Sequence, residues 1–577
     1  MKIEEIIPSL KWLRGYEPQW LRGDISAGLT VGVMLIPQGM AYAMIAGLPP
    51  IYGLYASTIP LIIYALFGSS RQLAVGPVAM VSLLTAAGIG TLVELGTEEY
   101  ISLAIILALI VGITQLSLGV FRLGFLVNFL SHPVISGFTS AAALIIGLSQ
   151  LKHLLGVALP RSHHVHEIIL SALEHLGEIN YPTVLIGVMG IILIALLKKK
   201  YPRVPGQLVV VVLGIVSVGF FGLTGYGVKI VGEIPQGLPS IGLPEINVES
   251  IRLLLPTALA IALVSFMESI AVAKAVQSKH RNYKVEANQE LRALGLANIL
   301  GSLFQSFPTT GGFSRTAVND QAGANTGLAS MISAGLIILT LLFLTPLFYY
   351  LPLAILASVI MVAVFGLIDY QEVIHLWRSN KVDFWMLAAT FMATLTLGIE
   401  QGIGFGVVLS LLMVIFRTTR PHIASLGRIP GTYIYRNVER FDDLEEREDL
   451  LIVRLDAQLY FANINFFRDS IETLVMKKGT KLKYLLLSME SISYVDSSAM
   501  HMLEELVDTL NRLGITIIFS GVKGPVRDQM TRSGFIQKVG QNRFFITKQK
   551  AVDYVAGSKE NLEVPNALGN YTMQDNE

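Results

Sequence analysis

Residues 307–320 read FPTTGGFSRTAVND, placing an arginine, an acid and a glycine pair between long apolar runs. A second break, AVGPVAMVSLLTAAG at 74–88, has a similar make-up without the charges: Gly or Pro beside small and hydroxyl residues, then a short helix. The two breaks lie about 235 residues apart, and the apolar helices opening near residue 26 and near Pro256 are separated by a similar interval. An internal duplication explains both spacings. Interrupted segments at matching positions of two halves point to a transporter site near the bilayer midplane, where broken helices aim their ends at the solute. A helix N-terminus carries roughly half a positive charge and unpaired N–H groups, so two such ends would favour an anion. Arg315 would add a full positive charge. Pro77 is expected in the first turn of its half-helix, where its missing N–H is not needed, and Gly311 and Gly312 permit a tight turn into the other. The competing reading is that Gly and Pro merely kink ordinary transmembrane helices, which tolerate both.

The chain around these breaks is strongly apolar. Of its 577 residues 53% are hydrophobic and only 15% charged, with a mean hydropathy of +0.59, and a soluble protein of this size would carry more charge. Apolar stretches long enough for a hydrocarbon core of roughly 30 Å recur from about residue 25 to about residue 417. Hydropathy and breaks give about fourteen membrane segments, several shorter than a full crossing. Basic residues (Arg22, Arg71, Arg122, Lys198, Lys274, Arg378 and Arg417 among them) fall at every second connection, which predicts cytoplasmic termini. A net charge of +1 argues against a nucleic-acid partner, and the absence of cysteine removes disulfides, thiolate metal sites and cysteine nucleophiles. The N-terminal segment, 1–24, lacks a signal-peptide pattern, so the first apolar helix is expected to act as an uncleaved insertion signal.

A transmembrane domain is thus expected over 25–420. After Arg420 charged runs such as FDDLEEREDL alternate with short apolar strands, predicting a small soluble βαβ-type domain over 430–556. Its strand candidates are 450–455, 483–489 and 515–520, and its helices 464–477 and 497–513. Residues 557–577 show no periodicity and are expected to be disordered.

Other polar residues carry weaker signals. Glu268 follows more than ten largely apolar residues, and inserting a carboxylate there costs several kcal/mol unless it is protonated or paired. It reads either as a proton acceptor or cation ligand, or as a structural partner for Arg315 or Lys274. Asn128, His132, Gln38 and Gln115 suit helix-to-helix hydrogen bonds, with Gln38 distinguished by its neighbours Pro37 and Gly39. RSHHVHE at 161–167 offers three histidines with no second cluster at ligand spacing, so a hydrated loop outweighs a metal site.

Several motifs carry a family resemblance over nearly the whole chain. IPQGMAYAMIAGLPPIYGLYAS (36–57), AVGPVAMVSLL, FSRTAVNDQAG and YVDSSAMHMLEELVDTLNRLGI resemble the SulP (sulfate permease) family of anion transporters with a C-terminal STAS domain. The resemblance implies an α-helical polytopic membrane protein of about 14 segments in a seven-plus-seven inverted repeat, with a core domain moving against a gate domain in an elevator-like displacement. It implies a homodimer. By position, Gln38, Tyr42, Val78, Phe313, Ser314 and Arg315 would line the anion site and Glu268 would be the coupling residue. Sodium-coupled bicarbonate members are less similar, since Val272 stands where they carry a hydroxyl, and FMESIAVAK looks like the proton-linked sulfate members. In related regulatory domains the DSS turn holds a phosphorylatable serine, here Ser497 or Ser498; Asp496 and Ser497 suit helix capping equally well.

The expectation is a secondary transporter in the cell (inner) membrane moving a small inorganic anion, most closely sulfate, with a proton as coupling ion and no cofactor. Bicarbonate, chloride or dicarboxylate exchange is the alternative. A membrane-tethered scaffold whose STAS domain binds cytoplasmic regulators is the rival from another class. No P-loop, nucleophile triad or paired-carboxylate arrangement points to an enzyme.

Overall fold

The computed structural model describes residues 7–125, 131–159, 165–201, 204–244, 247–280 and 283–557, apart from the side chain of Glu400. Asn128, residues 161–164 of the histidine run and the tail from residue 558 lie outside the described residues. The chain forms two compact units, Met1–Leu411 and Leu412–Glu577, with the division inside a continuous helix.

The first half of the larger unit contains α1 (Pro18–Ile45), α2 (Pro50–Phe67), β1 (Val75–Gly76), α3 (Ala79–Gly90), α4 (Glu98–Val120), α5 (His132–Leu155), α6 (Tyr181–Lys200) and α7 (Gly206–Phe221). The second contains α8 (Val248–Gln277), α9 (Ala287–Ser302), β2 (Thr310–Gly311), α10 (Phe313–Gln321), α11 (Leu328–Phe348), α12 (Leu353–Ser379), α13 (Lys381–Leu397) and α14 (Ile399–Thr419). Each half therefore runs two helices, a two-residue strand, a short helix and four further helices. Among the described residues nine helices have the length and apolar composition to cross a membrane, and α3 and α7 are shorter apolar helices.

Close helix approach sets the core. Where α4 meets α9, a Cβ on Gly112 would stand 2.7 Å from the Ile299 nitrogen, and one on Gly295 would stand 2.5 Å from the Leu116 nitrogen. Only hydrogen fits at both positions, as expected where tight van der Waals packing substitutes for a hydrophobic drive. A continuous apolar core including Leu35, Leu84, Leu107, Ile261, Leu294 and Ile360 fills the interior of this unit.

The smaller unit is a six-stranded mixed sheet in the order β4-β3-β5-β6-β7-β8. These strands span Ile423–Arg428 (β3), Tyr435–Asn437 (β4), Leu450–Leu455 (β5), Tyr484–Ser488 (β6), Thr516–Ser520 (β7) and Phe544–Phe545 (β8). β5 to β8 are parallel, with β3 antiparallel to β5 and β4 antiparallel to β3. Leu451, Val453, Leu485, Leu487, Ile517 and Phe519 pack on one face with the helices Ile464–Lys478 (α15) and Ser497–Arg512 (α16). Leu450, Ile452, Leu486 and Ile518 pack on the other. Burial on both faces explains why these strands read as unbroken apolar runs. The sheet opens at Ile423, ahead of the expected residue 430. The strand IASLGR is weakly apolar and follows the last membrane helix too closely for composition to separate them.

Candidate functional site

The two breaks in the sequence meet. β1 pairs antiparallel with β2, Val75 opposite Gly311 and Gly76 opposite Thr310, and the Gly312 N–H donates to the Ala74 carbonyl at 3.0 Å. Because the strands run in opposite directions and each leads at once into a helix, α3 and α10 depart oppositely from a shared ladder. Both present N-termini to it. Their N-caps, Val78 and Gly312, supply no side-chain acceptor to the first N–H groups, which form the positive end of each helix dipole.

Side chains of α10 add to the join. Thr316 Oγ1 accepts from the Ala74 N–H at 3.1 Å and donates to the Gly312 carbonyl at 2.7 Å, while Asn319 Nδ2 donates to the Gln72 carbonyl at 2.8 Å.

Arg315, in the first turn of α10, is 1% exposed. Its Nη1 donates to the Pro77 carbonyl at 2.6 Å and to Gln38 Oε1 at 3.2 Å. Nε and Nη2 are buried with no hydrogen-bond partner, as is Gln38 Nε2. Gly312 makes room for the guanidinium, since a Cβ there would lie 2.8 Å from Nη2. Glu268, on α8, keeps Oε2 buried and without a partner, so that oxygen is not the acceptor for Arg315 or Lys274. Arg315 and Glu268 lie near enough for their charges to interact, and the Tyr42 phenol lies close to both. A buried cation with two idle donors costs several kcal/mol unless something accepts from them, and a small anion would do so.

The residues singled out from sequence divide accordingly. Gln38, Tyr42, Val78 and Arg315 are buried, and Gln38 and Arg315 are bonded to each other. Phe313 is 60% exposed and Ser314 is exposed too, so the first two residues of α10 turn away from the packed interior that Arg315 enters. Pro77 is not in the first turn of α3. It precedes the N-cap Val78, and it contributes its carbonyl to Arg315 rather than a preset helical φ. In the smaller unit Asp496 is the N-cap of α16, accepting from Ala499 N–H at 2.8 Å and Phe461 N–H at 2.9 Å, while Ser497 and Ser498 are exposed beside it.

Further residues hold the site from behind. Asn298 on α9 clamps the chain ahead of β2: Oδ1 accepts from the Thr309 N–H at 2.8 Å and Nδ2 donates to the Thr309 carbonyl at 3.1 Å. Gln115 links Asn298 to Ser265, and Ser269 accepts from the Gly311 N–H at 2.9 Å. Asp24 binds the loop after α10 through the Asn325 and Thr326 N–H groups and the Thr326 hydroxyl. Ser269 was detectable as the neighbour of Glu268, and Asn298 as the one amide in LANILG. Asp24 carried no such signal.

Opposed, uncapped helix ends around a partly satisfied guanidinium, in a bundle of many apolar helices, fit a multi-pass anion transporter. The chain belongs to the Sulfate permease family, whose profile matches residues 21–390, and a STAS domain matches residues 443–551. It is 41% identical to sulfate transporter 4.1, chloroplastic, of Arabidopsis thaliana, over 97% of this chain and 84% of that one. It is 36% identical to a probable sulfate transporter of Mycobacterium tuberculosis, over 94% and 97%. The solved structure of murine Solute Carrier 26 family member A9 in the inward-facing state superposes with a TM-score of 0.87 at 27% identity, covering 96% of this chain and 94% of that one. The transmembrane domain of the cyanobacterial bicarbonate transporter BicA gives a TM-score of 0.59 at 26% identity, over 69% and 97%.

Proposed function

We propose that this chain is a secondary active sulfate transporter in which a proton on Glu268 accompanies the anion. The observation that carries the reading is Arg315, buried at the meeting of two helix N-termini with Nε and Nη2 unpartnered. An incoming sulfate would accept from those two donors and from the first N–H groups of α3 and α10, replacing part of its hydration shell. Protonating Glu268 would remove a nearby negative charge that opposes the anion. With both charges compensated, the paired half-helices would travel as one piece in an elevator-like movement of core against gate, within a homodimer whose termini face the cytoplasm. Gln38, Tyr42 and Val78 would wall the site, and Phe313 and Ser314 would meet the solute at its approach. The relatives' names support sulfate as the cargo.

The test is uptake of labelled sulfate into proteoliposomes under an imposed pH gradient. Wild type should accumulate sulfate with the gradient, Glu268→Gln should transport without responding to it, and Arg315→Ala should lose uptake. Gradient-independent uptake by wild type removes the proton from the mechanism. The likeness to a bicarbonate transporter favours a second reading, bicarbonate exchange at the same centre, and competition by unlabelled bicarbonate against sulfate separates the two.

A further inference from the structure

Away from Arg315, two cavities adjoin where the α5–α6, α7–α8 and α11–α12 connections meet. The smaller, about 160 Å³, is lined by Lys152, His153, Thr183 and Lys229 among others. The larger, about 560 Å³, shares Lys229 and Leu353 with it and adds Thr224, Tyr349 and Tyr350. The wall is built from backbone bonds. The Asn180 N–H donates to the Leu155 carbonyl at 3.0 Å, Asn180 Nδ2 to the Tyr226 carbonyl at 2.8 Å, and the Leu353 N–H to the Lys229 carbonyl at 3.0 Å.

The chemistry of the lining is one-sided. Among the described residues two lysines and a histidine line the pair, Thr224 adds a hydroxyl while that of Thr183 is given to Asn180 Oδ1 at 2.7 Å, and no carboxylate lines either cavity. A cleft with one sign of charge concentrates the opposite sign. Exposed aromatics mark its level: Phe220 is 82% exposed and Tyr226 68%, with Phe221, Tyr349 and Tyr350 exposed beside them. Rings of this kind gather at the boundary between hydrocarbon and water, where lipid phosphates lie.

We propose that these adjoining cavities form a second anion site, separate from Arg315, that takes a tetrahedral phosphate-class oxyanion between Lys152 and Lys229. The group comes from an anionic phospholipid headgroup or from a free oxyanion in solution. The site needs no contribution from the central transport site, so either can fail without the other.

The experiment uses the full-length protein in detergent, with Arg315→Ala as background to silence the central site. One arm adds phosphatidylglycerol or, for comparison, phosphatidylcholine, and counts retained lipid by native mass spectrometry. The other adds inorganic phosphate and follows thermal unfolding. Lys152→Gln with Lys229→Gln should weaken binding in at least one arm by about 10- to 30-fold, near the worth of two lysines beside a phosphate surface. Lys229→Arg should restore it. A loss confined to phosphatidylglycerol assigns the headgroup as source, a loss confined to phosphate assigns the free oxyanion, and a loss in both assigns a site open to either. Unchanged binding in both arms overturns the proposal. Because Lys229 is exposed, Lys229→Gln alone gives the same reading should the double variant fold poorly.

Discussion

Glu290 and Arg315 are both ionisable, both buried in the membrane half, and opposite in how their surroundings answer them. Glu290 accepts from the Tyr64 hydroxyl at 2.6 Å, from the Ser69 N–H and hydroxyl at 2.8 and 2.7 Å, and from the Ser70 N–H at 3.3 Å. Arg315 satisfies one nitrogen and leaves two idle. The saturated group ties α9 to the end of α2 and has nothing left to offer. The deficient group sits between two helix N-termini and can still bind. On the proposed reading, satisfaction, more than burial or charge, is what distinguishes a structural ion from one kept for a solute.

Substitutions can break or sharpen that contrast. The largest effect is expected from Glu290→Ala, which strands several buried donors and should lower stability by about 3 kcal/mol or more in detergent unfolding. A Glu290→Ala variant as stable as wild type would end the comparison. Arg315→Ala should reverse the pattern, leaving stability within about 1 kcal/mol while weakening sulfate binding by about 10- to 100-fold, measured by equilibrium binding to the purified protein. Asn298→Ala lies between the two. It frees the Thr309 backbone ahead of β2, and should cost about 2 kcal/mol in unfolding together with a severalfold rise in KM for sulfate uptake. The smallest effect belongs to the soluble unit. Asp496→Ala should cost about 1 kcal/mol and speed amide exchange in the first turn of α16, whereas Ser497→Ala should leave that exchange unchanged.

The parts of this structure that interrupt a pattern were legible in the sequence. Glycine and proline breaks stand out against apolar neighbours, one of them with Arg315, and the recurrence of the breaks about 235 residues apart marked the two segments that meet, although their pairing as strands was not expected. What stayed hidden depends on helical phase and on backbone atoms. Phe313, Ser314 and Arg315 are consecutive, and successive residues turn by about 100°, so only the packing of α10 decides which enters the interior. The role of Pro77 rests on its carbonyl, which no side-chain pattern reports. Glu290 begins a helix with the polar run ANQELR, which reads as the end of a connection although the carboxylate is fully enclosed. In the soluble unit the central parallel strands were plain, while β4 and β8 lacked the length to register and β3, though as long as β5, carries a serine, a glycine and an arginine among its six residues.

The ladder joining β1 to β2 is only two residues long on each side, yet it rivets one half of the chain's duplicated architecture to the other. A solute bound there as proposed would be held by a cradle whose dimensions are fixed by backbone pairing. Were the cradle to face each compartment in turn, its affinity would be much the same on either side, leaving net flow to be dictated by gradients instead of by a lopsided grip.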